Sequence, residues 1–372
     1  MAPTKSKNLT FWLITPSTLG VIGLLVVLLA AAGYATRGYW KPRRLLAMAN
    51  AVLYGTPTPR PTPTPRATFT VFPTWTPAPL QPEAQAILIG AGDIEKCGGD
   101  GAKQTAEEIE EIIEHLTGAP DTLGAPDTQG TPEGVGVVGI FTAGDNSNDS
   151  GTLDEYKCFE PDWGRFKERI HPAVGNHDYF TPLAEGYYNY FGAAAGDPTK
   201  GYYSFNLGAW HIVMLNSNCD QVGGCNAGSP QESWLEADLA TYPARCTLAV
   251  WHEPLFISGD DNATFMRSFW QDLYDADAEI VVSGHQHQYE RFAPQDTNGN
   301  LDLARGLREF VVGTGGGILE LSVTTGIRRN SKILISQELG VIEFTLHPTS
   351  YEWQFIPVDP HAKADAGQGD CH

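Results

Sequence analysis

Residues that can bind metal ions or transfer protons follow five short apolar runs of this 372-residue chain. One such residue would mean little, because an Asp often caps a helix. Five such groups in succession are not explained by helix capping. The carboxyl ends of the strands of an α/β sheet line one crevice, so these side chains are predicted to converge. The groups are Asp93 after AILIGAG, Asp145 and Asn146 after VGIFTAG, Asn176, His177 and Asp178 after HPAVG, His252 after TLAVW, and His285 and His287 after EIVVSG.

The donor types indicate which metals and which reaction to expect. Oxygen atoms of Asp and Asn together with imidazole nitrogens, without any Cys, suit iron, manganese or zinc. There are too many donors for one tetrahedral ion. They suit two ions about 3.5–4 Å apart that share one carboxylate, an arrangement used for in-line attack on phosphate esters. We therefore expect two divalent or trivalent metal ions (Fe, Mn or Zn) and a small-molecule phosphate ester as substrate.

The elements that position these groups alternate between strands and helices. Ile109, Ile112, Ile113 and Leu116 have the spacing of an amphipathic helix over 102–116, between buried strands predicted at 86–93 and 135–145. Strand–helix units followed by strand-rich segments indicate an α/β sandwich with mixed sheets, and residues 118–134 look like a surface insertion. Further strands are predicted at 202–207, 210–216, 247–252, 279–283, 309–314, 341–347 and 351–358, and further helices at 232–240 and 263–274.

The series of motifs resembles that of the calcineurin-like metallophosphoesterases. The motifs are GDIE at Asp93, GDN at Asp145, GNHD at Asn176, WHEP at His252 and GHQHQYER at His285. The YER that follows GHQH and the strand-rich C-terminal part look most like the purple acid phosphatase branch. The resemblance covers roughly residues 86–358, and it implies a four-layer α/β/β/α sandwich with two mixed β-sheets.

The resemblance also implies roles for individual residues. The expected ligands form two sets that share Asp145 as the bridge: Asp93, Asp145 and His287 for one ion, and Asn176, His252 and His285 for the other. A hydroxide activated by the metals would be the nucleophile. His177 would stabilise the transition state or protonate the leaving alkoxide. Asp178 would orient His177, or else it is a turn residue that caps the loop.

Two features depart from the purple acid phosphatase pattern. That branch carries a Tyr three residues after the bridging Asp, and charge transfer from this Tyr to ferric iron gives the colour. Here the position is Asn148, which is either a weak neutral ligand or none, so no purple absorption band is expected. The branch also places histidines nine or ten residues after the His of the fourth motif. Asp261 and Asn262 stand there instead, so the outer substrate contacts differ.

The formal net charge of −20 is divided unevenly along the chain. Residues 1–80 hold eight cations and no acid, whereas residues 81–372 hold 16 cations and 44 acids. Such an acidic balance argues against nucleic-acid binding, because affinity for phosphate backbones comes mostly from Lys and Arg. A phosphate substrate remains compatible with it, since bound metal ions would supply the positive charge.

The first 55 residues are predicted to be a membrane anchor or a signal peptide. No charge interrupts residues 8–36, and this stretch can cross a bilayer core of about 30 Å as a helix. Four cations follow it and two precede it, which favours a cytoplasmic C-terminal side. The Thr/Pro-rich residues 56–84 predict an extended linker. The catalytic domain is predicted at 85–358, and residues 359–372 are predicted to be a C-terminal tail.

Six cysteines, without a CxxC pair or zinc-finger spacing, favour disulfide bonds, with free buried thiols as the alternative. Cys219 and Cys225 flank a Gly-Gly turn and could close a small loop. Disulfides and a Thr-Pro stalk are typical of exported domains. We give them more weight than the positive charges that follow the apolar stretch, which favour a cytoplasmic domain. We therefore expect an extracytoplasmic domain anchored to the cell membrane, or a secreted one if the N-terminal segment is cleaved.

Several classes of function share these features. A phosphomonoesterase is the main expectation. A phosphodiesterase for cyclic nucleotides or lipid head groups would use the same site, and a surface binding module would keep the metals only to brace the fold. The presence of His177 argues against the module, because a structural metal site does not need it. The aromatic group that follows GNHD either walls the substrate cleft or packs an irregular loop: Tyr179, Phe180, Tyr187, Tyr188, Tyr190 and Phe191.

Overall fold

The computed structural model of the chain describes residues 79, 81, 84–117, 137–259, 262–319 and 326–372. The predicted N-terminal helix, nearly all of the predicted linker, the predicted insertion at 118–134 and Asp261 lie outside the described residues. Among the residues that are described, no helix is both long and apolar enough to cross a membrane.

Two mixed β-sheets form the framework of the described chain. The first sheet contains β1 (Ala86–Ala91), β2 (Val137–Ala143), β3 (Ile170–Ala173), β11 (Gly340–Leu346), β12 (Ser350–Pro357) and β13 (Asp365–Asp370). The second contains β4 (Tyr203–Leu207), β5 (Trp210–Met214), β6 (Cys246–Val250), β7 (Ile280–Ser283), β8 (Gln288–Phe292), β9 (Arg308–Val312) and β10 (Ser331–Ser336).

Parallel pairs make up the part of each sheet that leads to the predicted site. The first sheet has the order β13-β12-β11-β1-β2-β3, with β1, β2 and β3 parallel. The second has the order β10-β8-β9-β7-β6-β5-β4, with β5, β6, β7 and β9 parallel. The other neighbours are antiparallel. Parallel neighbours bring their carboxyl ends to the same edge of a sheet, which is where the predicted site residues follow.

Helices connect and cover the strands. The helices are α1 (Gly101–Thr117), α2 (Tyr156–Phe159), α3 (Glu185–Phe191), α4 (Cys219–Val222), α5 (Pro230–Thr241) and α6 (Arg267–Asp275). Short 3₁₀ segments lie at Trp163–Arg169, Asp178–Phe180, Pro182–Ala184, Gly192–Ala195 and Thr264–Met266. Helix α5 begins two residues before the predicted position 232, because Ser229 accepts a hydrogen bond from the Glu232 backbone N–H and Pro230 takes the first helical position.

Strand β6 shows how the sheets are buried on both faces. Leu248 and Val250 belong to a core that also contains the apolar residues of the first sheet and of α1. Ala249, between them, faces a second core that contains Phe269 and Trp270 of α6. Because successive side chains of a strand point to opposite faces, the strand packs against the first sheet on one side and against helices on the other.

The predicted α/β fold of two mixed sheets with helices is confirmed. The helices predicted at 102–116, 232–240 and 263–274 correspond to α1, α5 and α6 with its preceding 3₁₀ turn. Residues 359–372, predicted to be a tail, belong to the fold instead. Asp365–Asp370 pairs with β12 along its length, so its backbone hydrogen bonds hold it in the sheet although its side chains lack an apolar pattern.

All six cysteines form disulfide bonds, as predicted. The pairs are Cys97–Cys158, Cys219–Cys225 and Cys246–Cys371. The second pair closes the small loop expected from its Gly-Gly turn. The third joins the start of β6 to the residue after β13, so it attaches the C-terminal segment to the second sheet.

Candidate active site

The predicted site residues follow β1, β2, β3, β6 and β7, and hydrogen bonds join them across the two sheets. The His285 backbone N–H, after β7, donates to Oδ2 of Asp93, after β1, at 2.7 Å. Nδ1 of His252, after β6, lies 2.8 Å from the carbonyl oxygen of Ala143 at the end of β2. The carboxyl ends of both sets of parallel strands therefore meet at one place.

Three of the predicted ligands have a backbone conformation that is unusual for residues other than glycine. The φ angles are 59° at Asp93, 49° at Asp145 and 70° at His285. A left-handed backbone at such residues costs free energy and is concentrated at functional sites. The loop that carries Gly175 packs directly against Asp145. A Cβ atom on Gly175 would lie 2.1 Å from both the backbone N and Oδ1 of Asp145, so only glycine fits there.

One half of the site is formed by Asn176, His252, His285 and Asp145. Oδ1 of Asn176 lies 3.0 Å from Nε2 of His252 and 3.0 Å from Nδ1 of His285. The two imidazole nitrogens are 3.3 Å apart, and Nε2 of His252 is also 3.3 Å from Oδ1 of Asp145. Nδ1 of His252 donates to the Ala143 carbonyl, so Nε2 is the atom left to face these oxygens.

The other half of the site pairs Asp93 with His287. Nε2 of His287 lies 3.2 Å from Oδ1 of Asp93, an oxygen that is fully buried and accepts no hydrogen bond. Nδ1 of His287 contacts the carbonyl oxygen of Ile318, so Nε2 is again the ring nitrogen that faces the site. Nδ2 of Asn148 is 3.4 Å from the same Nε2, so the predicted weak ligand does lie beside this half.

The two halves fit a pair of metal ions, and they meet at Asp145. Ligand atoms of Asp93, Asp145 and His252 all lie within 4.8 Å of one another, and all three residues are buried. Burial alone would lower the pKa of His252, but the Asp145 and Asp93 carboxylates outweigh it and raise the pKa to about 10. The buried donors therefore require positive charge, which metal ions of the expected kind would provide.

His177 lies at the rim of the site. Its backbone N–H donates to Oδ1 of Asp145 at 2.8 Å, which fixes the loop against the shared carboxylate. Its ring Nδ1 lies 3.1 Å from the carbonyl oxygen of Asp149, and its Nε2 is 3.8 Å from Oδ2 of Asp145. The His177 side chain is 30% exposed, so Nε2 can reach a substrate that enters from solvent.

Asp178 points away from the His177 ring and into the protein. One oxygen accepts hydrogen bonds from the Gly175 backbone N–H at 2.9 Å and from Nδ2 of Asn146 at 3.2 Å, and the other accepts the Tyr156 hydroxyl at 2.8 Å. Burial and the nearby Asp145 carboxylate raise the pKa of Asp178 to about 6. Of the two roles considered for Asp178, these contacts favour the loop residue, because they join the GDN loop to the GNHD loop.

Two buried carboxylates near the site were missed by sequence reasoning. Glu309 accepts hydrogen bonds from the backbone N–H groups of Leu255 and Phe256 at 3.1 and 3.0 Å. Glu290, the Glu of YER, accepts the Ser258 backbone N–H at 2.8 Å and its hydroxyl at 2.5 Å. Both carboxylates therefore hold the loop that follows His252. Only the YER motif signalled either of them, without indicating a partner.

The rest of the YER motif connects the two sheets. Asp365 of β13, in the first sheet, accepts the Tyr289 hydroxyl at 2.7 Å and Nε and Nη2 of Arg291 at 2.6 and 3.0 Å. Trp353 Nε1, on the neighbouring strand β12, donates to the same carboxylate at 3.0 Å. Strand β8, which begins directly after His287, is thus tied to the C-terminal strands.

Comparison with known proteins gives the family to which this fold and site belong. The family model described as calcineurin-like phosphoesterase matches residues 87–289, more than half of the chain. The chain therefore belongs to the calcineurin-like phosphoesterase family. The match runs from β1 into β8, so it contains every predicted ligand.

Relatives within the family support the predicted branch. Two proteins of Arabidopsis thaliana are similar to part of the chain. "Probable purple acid phosphatase 20" is 29% identical over 171 residues, 38% of this chain and 39% of that protein. "Purple acid phosphatase 15" is 32% identical over 174 residues, 41% of this chain and 32% of that protein. The chain thus spans less than half the length of these relatives.

A solved structure agrees with the fold. Purple acid phosphatase from yellow lupin (Lupinus luteus) seeds superimposes with a TM-score of 0.62, covering 77% of this chain and 54% of that one at 16% sequence identity. The resemblance inferred from the motifs, to the calcineurin-like family and its purple acid phosphatase branch, is confirmed by the family match, the relatives and this structure.

Proposed function

We propose that the chain is a phosphomonoesterase of acid-phosphatase type with a dinuclear metal centre. The observation that carries the proposal is the convergence of the six predicted ligands on two adjoining groups that share Asp145, with Nε2 of His177 at the rim. One ion would be held by Asp93, Asp145 and His287, and the other by Asp145, Asn176, His252 and His285. When bound, the ions would polarise the phosphate and activate a water molecule.

The protein's own groups would position the ester and deliver a proton. The carboxylate of Asp145 is kept in place by the His177 backbone N–H, which leaves its other oxygen directed toward the ring of His177. Because Nδ1 of His177 is occupied by the Asp149 carbonyl, Nε2 is the atom available to the substrate. A protonated Nε2 would donate a hydrogen bond to the phosphate, or its proton to the leaving oxygen, which departs as an alcohol.

The preference for monoesters rests on the relatives, since the named ones are purple acid phosphatases. A phosphodiesterase with the same ligands is the alternative outcome. We also propose that the domain works outside the cytoplasm. Its three disulfides support this location, because such bonds persist in oxidising compartments.

Hydrolysis of p-nitrophenyl phosphate and of its bis ester, with and without chelator, tests the reaction. The metal-loaded wild type is expected to prefer the monoester and to lose activity on chelation. His177→Ala is expected to lower kcat by about 10²-fold or more, as loss of a general acid does, with the metal content unchanged. His347→Ala serves as the control, because the His347 side chain is also 30% exposed and follows β11 at the opposite edge of the sheet, beside the start of β1.

Two outcomes would contradict the proposal in different ways. Activity that survives both chelation and His285→Ala would refute the two-metal site. A faster reaction with the bis ester than with the monoester would keep the metal site but refute the monoesterase. For the location, protease treatment of intact and of lysed cells is expected to digest the domain in both, and protection in intact cells would refute it.

A further inference from the structure

An exposed aromatic ring stands directly beside the His177 imidazole. Phe180 is 52% exposed, and its ring centroid is 4.5 Å from that of His177, with the planes inclined by 41°. Other members of the aromatic group, such as Tyr187 and Tyr188, are almost fully buried and pack the loop. Loop packing therefore explains those residues, but it does not explain why Phe180 remains at the surface.

Two further apolar side chains are exposed on the loops around Phe180. Leu183 is 53% exposed and follows Phe180 by three residues, and Leu153 is 49% exposed on the neighbouring loop. The two loops are in direct contact. The Thr181 hydroxyl donates to the Ser150 carbonyl at 2.8 Å, and a Cβ on Gly186 would lie 2.8 Å from the Leu153 backbone N. Three exposed apolar residues are thus carried by one joined pair of loops on the His177 side of the site.

The backbone of this segment is strained at Leu183 and at the residue that follows it. Leu183 and the following Ala184 have φ angles of 60° and 50°, a left-handed conformation that residues with a Cβ seldom adopt. Ala184 is fully buried, whereas Leu183 is exposed. Strain of this kind persists where the surroundings enforce it, and it is concentrated at sites that hold ligands.

We propose that Phe180, with Leu183 and Leu153, forms the wall that binds the leaving group, and that the preferred substrates are phosphate esters of apolar, above all aromatic, alcohols. This inference rests on the proposed function. A leaving oxygen within reach of Nε2 of His177 directs its carbon substituent toward the loop that carries His177. A flat apolar substituent can then stack on the exposed Phe180 ring, and an alkyl part can contact the two leucines.

Substrate comparison tests the wall. Values of kcat/KM are measured for 2-naphthyl phosphate and glycerol 2-phosphate with the metal-loaded wild type, Phe180→Ala and Phe180→Leu. Comparing each variant with wild type on the same substrate removes the difference in intrinsic reactivity. Phe180→Ala is expected to lower kcat/KM for 2-naphthyl phosphate about tenfold more than for glycerol 2-phosphate. Phe180→Leu is expected to fall between. The control is Leu303→Ala, which replaces an exposed leucine in the loop between β8 and β9 and should change kcat/KM for neither substrate.

A binding measurement separates the wall from catalysis. Benzylphosphonate and methylphosphonate cannot be hydrolysed, and their affinities are measured by calorimetry with the metal-loaded protein. Benzylphosphonate is expected to bind more tightly than methylphosphonate. Phe180→Ala is expected to weaken the binding of benzylphosphonate about tenfold and to leave the binding of methylphosphonate unchanged. If Phe180→Ala lowers kcat/KM equally for both substrates and affinity equally for both phosphonates, the wall is refuted and the proposed phosphatase activity is not. Absence of hydrolysis of any ester by the wild type would refute the proposed function itself, and with it the wall.

Discussion

Replacing Gly175 by Ala is expected to disable the site while leaving the fold in place. The added Cβ would lie 2.1 Å from the backbone N and from Oδ1 of Asp145, and 2.8 Å from its Cγ, whereas ordinary contacts begin at 3.4 Å. The nearest atoms include backbone, so the contact cannot be relieved by rotating a flexible side chain. The loop with Asn176 and His177 must therefore move away from Asp145.

The size of that movement sets the expected loss. The GNHD and GDN loops would have to separate by roughly 1 Å, and a misplacement of about 1 Å at a reacting centre can cost about 10²-fold in rate. The hydrogen bond from the His177 backbone N–H to Oδ1 of Asp145, now 2.8 Å, would be lost as well. Overpacking of this kind typically costs about 1–3 kcal/mol in the free energy of unfolding, which a domain of this size can tolerate.

The assay combines activity, metal content and unfolding. We expect kcat for p-nitrophenyl phosphate to fall about 10²-fold and the bound metal, measured by mass spectrometry after dialysis, to fall below that of the wild type. Gly99→Ala is the matched control, because the atom nearest to its added Cβ outside adjacent residues is the Lys96 carbonyl oxygen at 3.1 Å, and no predicted ligand lies within 4 Å. A Gly175→Ala protein with wild-type metal content and activity within about threefold of wild type would refute the argument from close approach.

Three further predictions concern residues around the site and the opposite end of the sheet. Glu290→Ala would leave the buried Ser258 backbone N–H and hydroxyl without their acceptor, so we expect a loss of about 1–3 kcal/mol in urea unfolding and a rise in KM from the loosened loop after His252. Unchanged stability would show that Glu290 does not hold this loop. Burial raises the pKa of Glu279 from 4.5 to about 8, so the folded chain retains a proton that the unfolded chain releases. The free energy of unfolding should therefore fall between about pH 4.5 and pH 8, and Glu279→Gln should flatten this decline when urea unfolding is measured at both ends. A slope unchanged by the substitution would exclude Glu279 as its source. Finally, the iron-loaded protein should show no strong visible charge-transfer band, since the amide of Asn148, and not a phenol, lies 3.4 Å from Nε2 of His287; an intense purple band in its absorption spectrum would contradict this.

The sequence predicts the meeting of the ligands well because local signals mark each of them. An apolar run ending in Gly-Asp, as at Asp145, combines a buried strand with the tight loop that must follow it. The same reasoning misses β8 and β13. In β8 the polar Gln288 and Glu290 are buried, and in β13 the sequence DAGQGD has no apolar alternation at all. Their burial depends on partners distant in sequence, which a local pattern cannot reveal.

The position of Asp178 shows the same limit within the site. Its place in GNHD makes it a candidate partner for the adjacent His177, but its hydrogen-bond partners include Tyr156 on α2 and Asn146 in another loop. Phe180 is similar, because its sequence neighbours are also aromatic and only the fold leaves this ring exposed. Residue type and spacing thus predict which side chains lie together in the site, whereas the supporting contacts require the tertiary structure.

The carboxylate of Asp365 has a consequence for how the site is kept ready. It belongs to the first sheet and binds Tyr289 and Arg291 of the second, so neither sheet can slide over the other without breaking these bonds. The first sheet supplies Asp93 and Asp145, and the second supplies the histidines that complete the two sets of ligands. The spacing between the proposed ligands of the two sheets is therefore fixed by the protein itself, which would lower the entropic cost of metal binding.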